Sequence, residues 1–325
     1  MRGGARVDER RAERKQLKKK FRSLGISLLF QEALVWIVVI AYGIVLVVQS
    51  MLSHFGASAS DVDKHISTVL EQSGWPMILD VLIAFILVLI YRNKAFFNND
   101  LRKKNRRITV KAFTLGVVFV LGLNMVLSPV MVPVEWLLNL FGYTAKPSES
   151  ILEGSTTWSM FLYTGAVGPI FEEFLYRGVV LRSLEKFGGV FAISISALLF
   201  GMMHGNIIQL PMAVGVGLIF GYLARRYSIW LTVLIHMANN SISELFSALP
   251  SNLLTALLYY VLFVLLLLVM SLFIYKKRAL WLNWVQAWQS HLPERRIWLY
   301  FFTSIPMLLL LVSNIVVTLL GLEKL

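Results

Sequence analysis

Long uncharged runs alternate with short basic blocks along this chain. The stretch ALLYYVLFVLLLLVMSLFIY, Ala256 to Tyr275, holds 20 residues without a charge, and WLYFFTSIPMLLLLVSNIVVTLLGL, Trp298 to Leu322, is a second such run. Each is long enough to cross a bilayer as an α-helix, which takes about 17–25 residues. A single run of this kind could be the buried helix of a large soluble protein, but so many in one chain predict membrane spans. They fall near residues 24–51, 75–91, 108–128, 155–184, 189–204, 210–223, 230–246, 253–275 and 298–322.

The polar stretches between the runs set the expected sidedness. RNKAFFNNDLRKKNRR (Arg92 to Arg107), Arg182 with Lys186, Arg225 with Arg226, and KKR (Lys276 to Arg278) mark one side. Loops rich in Lys and Arg stay in the cytoplasm. Segments 52–74 and 129–154 are poor in basic residues and are expected outside, the second carrying an interfacial helix. Trp281, Trp284 and Trp288 suit an interfacial helix on the inner side. The expectation is an all-α, polytopic integral membrane protein of about eight or nine transmembrane helices with a polar cavity between its core helices. Its expected divisions are a basic cytoplasmic tail (1–23), N-terminal helices and loops (24–154), a catalytic core (155–246) and C-terminal helices (247–325).

Composition supports the membrane reading. Of the 325 residues, 15% are charged, against about 25% in a soluble domain, and the mean hydropathy is +0.70. The net charge of +13 sits in blocks between apolar runs, so cytoplasmic loops account for it. Lipid is an expected partner and nucleic acid is not. The absence of cysteine excludes disulfides and thiolate catalysis. The amino terminus, MRGGARVDERRAERKQLKKKFR, is too long and too charged for a signal-peptide n-region, and the apolar run after it exceeds an h-region. It reads as a cytoplasmic tail before a retained helix in a bacterial cytoplasmic membrane.

Ionisable groups inside a membrane are costly and point to function by default. EEFLYR places Glu173 and Arg177 four apart, on one helix face, where they can form an ion pair. Glu172 points about 100° away and is not explained by that pair. FGMMH carries Phe200 and His204 four apart, and HMANN carries His236 and Asn240 four apart with Asn239 as a competing neighbour. Taken singly, these patterns also fit a helix-end ion pair, an interfacial histidine and an interhelical hydrogen bond. Gln31, Glu32 and Asp80 match no chemical pattern, and packing or pairing is expected of them. Depth is a rough check: Glu172 and His236 lie roughly 15 and 12 Å above the basic ends of their runs, whereas His204 lies roughly 22 Å from Gly189 if upright.

Together these stretches resemble the CPBP family of intramembrane proteases, the CAAX-prenyl-protease, bacteriocin-processing or Abi group. Its pattern is EExxxR, then FxxxH, then HxxxN or HxxxD, on transmembrane helices. Here these are Glu172–Arg177, Phe200–His204 and His236–Asn240, and the resemblance covers about Ser155 to Asn240. It implies that Glu172 activates water, with Glu173 and Arg177 as motif partners and His204 working with the glutamate. It implies that His236 and Asn240 stabilise the oxyanion, and that the substrate is a membrane-associated peptide or protein. The chemistry is sound on general grounds: a carboxylate can accept a proton from water, and an N–H aimed at the developing oxyanion lowers the barrier. Two histidines and a carboxylate could also hold zinc, but HExxH is absent and the glutamate mechanism requires no metal. The alternatives are a non-enzymatic membrane protein of the same fold, acting in bacteriocin self-immunity or as a chaperone or sensor, and then a transporter.

Overall fold

The computed structural model describes residues 2–53, 60, 73–145, 157–279 and 292–325. Most of the expected outer loop 52–74, and Trp281, Trp284 and Trp288, lie outside them. The described chain is almost entirely α-helical. Four helices are long and apolar enough to cross a membrane, within Arg14–Leu52, Trp75–Arg92, Val110–Leu140 and Leu253–Lys276; a bent C-terminal pair makes a fifth if taken as one span. The chain is a membrane-associated protein. The helix Leu253–Lys276 makes the point physically. Leu266 is its one buried residue, and most of its other leucines and valines face outward, where lipid rather than water suits them.

Helix α1 (Arg2–Ser53) has 52 residues. At about 1.5 Å per residue it is about 78 Å long, against a hydrocarbon layer of about 30 Å, so a large part projects beyond the apolar zone. The stretch expected to be a tail, 1–23, is helical from Arg2 onward, and its last turns are docked. Leu17, Phe21, Leu24 and Leu28 recur at helical spacing and are all buried. Phe21 meets Phe187 and Phe301 edge-on, and Arg14 and Lys18 lie over the Tyr300 ring. A boundary drawn from charge alone misses this stripe because the charges occupy the other faces.

Helix α2 (Trp75–Arg92) packs on α1. Helix α3 (Val110–Leu140) corrects the expected end of a span at residue 128, because it runs on without a break through Pro129 and Pro133 to Leu140, into the segment expected as an outer loop with an interfacial helix. Each proline removes one backbone bond. In apolar surroundings a helix that keeps the rest is cheaper than a loop that must satisfy all of its polar groups anew. Beyond it, β1 (Tyr143–Thr144) pairs antiparallel with β2 (Glu323–Lys324), a small bridge that an all-α expectation omits. Glu135 braces it, accepting from Thr144 Oγ1 and the Ala145 amide.

At the centre lie α4 (residues 158–187), α5 (Gly189–Met203), α6 (Gln209–Arg226) and α7 (Ile229–Ser247), followed by α8 (Leu253–Lys276) on the outside of α3. Helices α5 and α6 form a close hairpin. At Gly201 an added Cβ would lie 2.4 Å from Val214 Cγ2 and 2.9 Å from the Leu210 carbonyl oxygen. Small residues permit such approach between membrane helices. We expect Gly201→Ala to lower the thermal unfolding midpoint of the purified protein, consistent with the about 1–3 kcal/mol that overpacking costs. An unchanged midpoint would show slack in that contact.

The last run, expected as one span over 298–322, is broken. Helices α9 (Arg295–Phe302) and α10 (Ile305–Leu320) meet at 68°. Pro306 has no N–H for the Phe302 carbonyl and its ring would collide with it, so the helix cannot run straight through Thr303 and Ser304. Glu32 finds its partners here: Ser313 Oγ and Asn314 Nδ2 donate to its carboxylate at 3.2–3.3 Å. Asp80 is buried on α2, and its Oδ1 has no partner among the described residues.

A charged cluster ties the base of the core together. Glu185 pairs with Lys103 at 2.7 Å, Arg182 at 2.9 Å and Arg225 at 3.1 Å. Burial pushes the Glu185 carboxyl up, but Arg182 and Lys103 outweigh it and leave it below its ordinary value of 4.5. A carboxyl held lower in the folded state contributes stability above its unfolded value and loses it as pH falls through the folded one. Unfolding midpoints should therefore fall as pH drops below about 4.5, the ordinary glutamate range, and fall less steeply in Glu185→Gln. Parallel pH curves for the two proteins would contradict this.

Candidate active site

Helix α4 is continuous over residues 158–187 but changes register. Two π-helical segments, Tyr163–Val167 and Phe174–Val180, flank the α-helical turn Gly168–Glu173 that carries both glutamates. Such segments often occur at functional sites. The first has a local cause. The Gly168 amide donates to the Tyr163 carbonyl, five residues back. In that register the next donor would serve the Thr164 carbonyl, but the next residue is Pro169, which has no N–H. Asn240 Nδ2 on α7 donates to Thr164 O instead, at 3.0 Å. Gly165 permits the close approach, because a Cβ there would lie 3.1 Å from Ser241 Oγ.

Glu173 and Arg177 form the ion pair that their spacing predicts, Nη1 to Oε1 at 2.8 Å, with both side chains at 0% exposure. The guanidinium also lies over the rings of Phe200, at 4.2 Å, and Phe220, at 5.1 Å. It thus spreads its charge against two π faces, as a desolvated arginine can. Glu173 has a further partner, His236 Nδ1 at 3.1 Å. A carboxylate oxygen only accepts, so Nδ1 carries the proton and the lone pair of the neutral ring is on Nε2. Nε2 faces Glu172 Oε2 at 3.7 Å, beyond hydrogen-bond length. The Glu172 side chain is 23% exposed, unlike Glu173. The two adjacent glutamates therefore stand on opposite sides of one imidazole, one sealed in and one accessible.

His204 follows the last residue of α5, and its Nδ1 lies 2.8 Å from the Phe200 carbonyl oxygen. A carbonyl cannot donate, so Nδ1 carries the proton here too and Nε2 keeps its lone pair. Phe200 links the two histidines, with its ring centroid 5.0 Å from that of His204 and 5.8 Å from that of His236. Asn240 is held by Thr164 and by Asn239, whose Nδ2 donates to Asn240 Oδ1 at 3.0 Å. The sequence reading had not singled out Phe220, Thr164 or Asn124. Asn124 was visible as a lone amide in an apolar run.

Among the described residues no group of three or more His, Asp or Glu side chains is arranged to hold a metal ion.

Comparison with known proteins gives a family for this helical core, which carries paired glutamates, an arginine and two histidines. Residues 154–242 match the family model described as type II CAAX prenyl endopeptidase Rce1-like. This segment belongs to that family, within the CPBP or Abi group of CAAX proteases. The chain is also similar to a protein of Bacillus subtilis (strain 168) described as "Putative membrane peptidase YdiL", 33% identical over 84 residues. That alignment covers 25% of this chain and 34% of the relative, so the chain spans about a third of its length. No solved structure matches the chain.

Proposed function

We propose that this protein is an intramembrane endopeptidase that hydrolyses a peptide bond in or near the membrane with water activated by Glu172. The observation that carries the reading is the Glu172–His236–Glu173–Arg177 arrangement, in which the accessible carboxylate faces the unprotonated nitrogen of an anchored imidazole. A water within hydrogen-bond reach of Glu172 and His236 would sit beside the line joining them. Glu172 takes a proton from this water as its oxygen attacks the scissile carbonyl carbon. The oxygen of that carbonyl becomes an oxyanion, which the remaining amide hydrogen of Asn240 can stabilise. His236 can add a donor only as an imidazolium, since its one proton in the neutral ring is committed to Glu173. Transfer of the proton from Glu172 to the departing nitrogen, with His204 as its partner, breaks the C–N bond and leaves a carboxylic acid and an amine.

The membrane arrangement proposed with it has eight or nine transmembrane helices, the amino terminus in the cytoplasm, and a bacterial cytoplasmic membrane as location. The substrate is a membrane-associated peptide or protein. A transporter of this size would favour two matching broken helices, and among the described residues one bent pair meets the test. The deciding experiment compares cleavage of membrane-peptide libraries in proteoliposomes by wild type, Glu172→Gln and His204→Ala, with and without a chelator. Cleavage by wild type that survives the chelator and is lost in both variants supports the reading. Equal cleavage by wild type and Glu172→Gln sinks it and leaves the non-enzymatic relative.

A further inference from the structure

Three asparagines form a directed chain that ends at the proposed oxyanion donor. Asn124 Nδ2 on α3 donates to Asn239 Oδ1 at 3.1 Å, Asn239 Nδ2 donates to Asn240 Oδ1 at 3.0 Å, and Asn240 Nδ2 donates to Thr164 O at 3.0 Å. The last acceptor fixes the direction of all three. A backbone carbonyl cannot donate, so Asn240 must present its nitrogen to Thr164 and its oxygen to Asn239. Asn239 must then present its oxygen to Asn124. Asn240 is thereby held at both ends of a planar amide, which leaves its second N–H with one fixed direction.

We propose that Asn124 is a positioning residue for the reaction, acting through Asn239 to set the amide plane of Asn240. The inference rests on the protease reading above, in which Asn240 stabilises the oxyanion. Asn124 lies outside residues 154–242, the segment matched by the family model, so this assigns the α3 helix a part in the chemistry. A preorganised donor lowers the barrier because it need not reorient as charge develops. A donor free to swing loses that advantage.

Asn124→Asp tests this with almost no change in shape. The introduced carboxylate accepts only, so Asn239 must turn over to donate to it. The Asn239 oxygen then meets the Asn240 oxygen. If Asn240 also turns, its oxygen meets the Thr164 carbonyl, so one link must break. In the proteoliposome assay, kcat should fall about 10-fold or more, up to the about 10²–10³-fold that loss of a whole oxyanion donor costs, while KM changes little. The ratio of variant to wild-type rate should recover as pH is lowered, because a protonated carboxyl donates again. In an Asn240→Ala background Asn124→Asp should have no further effect. Asn124→Leu, which also removes the donor, carries the kcat and double-variant tests if the aspartate variant does not fold. Wild-type kcat in both variants, or additive losses with Asn240→Ala, would overturn the proposal.

Glu172→Gln in the same assay reports separately on the protease reading. If wild type cleaves nothing, the ¹⁵N side-chain amide resonance of Asn240, assigned by its loss in Asn240→Ala, decides the positioning claim. Movement of that resonance in the Asn124 variants supports it, and a fixed resonance overturns it.

Discussion

Glu172→Gln is expected to lower cleavage by about 10²–10⁴-fold, the usual contribution of a general base, with little change in folding stability. The amide has nearly the shape of the carboxylate but cannot take a proton from water. Glu172 is partly accessible, and its 3.7 Å approach to His236 is not a hydrogen bond, so the substitution breaks no packed network. The measurement is a rate in proteoliposomes beside a thermal unfolding curve for each protein. A large rate loss with an unchanged curve fits the assignment. A matching loss of stability would show that Glu172 is structural.

The largest stability effect is expected at Arg177. Arg177→Met removes the cation from a fully buried pair and leaves Glu173 charged and uncompensated. Breaking such a pair costs about 3–5 kcal/mol, enough to unfold many proteins. The Phe200 and Phe220 rings also lose the guanidinium between them. Low yield and a sharply reduced unfolding midpoint are the expected readouts. The double variant Glu173→Gln with Arg177→Met should recover much of that midpoint, since a neutral pair has no stranded charge. It should still cleave poorly, because His236 loses its carboxylate anchor. Full stability in Arg177→Met alone would contradict the account of the pair.

These two residues also show what the sequence could reveal. The Glu173–Arg177 pair was legible because both partners lie on one helix, where a spacing of four places them together. The separate direction of Glu172 followed from the same geometry. The meeting of Glu173 with His236 was not legible, because the two lie on different helices and no local rule fixes how helices pair. The pairing of Asn124 with Asn239 was not legible for the same reason. The apolar runs located the helices, since lipid demands continuous hydrophobicity, but they misjudged the course of the chain at Pro129, Pro133 and Pro306. Helix α3 continues past Pro129, whereas the last run breaks before Pro306. Hydropathy does not distinguish these outcomes. The docking of Leu17 and Phe21 was obscured by the charges around them.

The two π-helical segments in α4 give that helix a property a regular rod lacks. Each carries one residue more than an α-helical turn needs, and so advances the phase of everything beyond it by about 100°, one residue's rotation. A helical wheel drawn over residues 158–187 would therefore misassign its faces twice. With those two shifts in phase, a single continuous helix offers a carbonyl to α7 at Thr164, carboxylates to His236 on the same α7 about two turns later, and a cation to the rings of Phe200 on α5 and Phe220 on α6 after that. Three neighbours are addressed in succession along one helix.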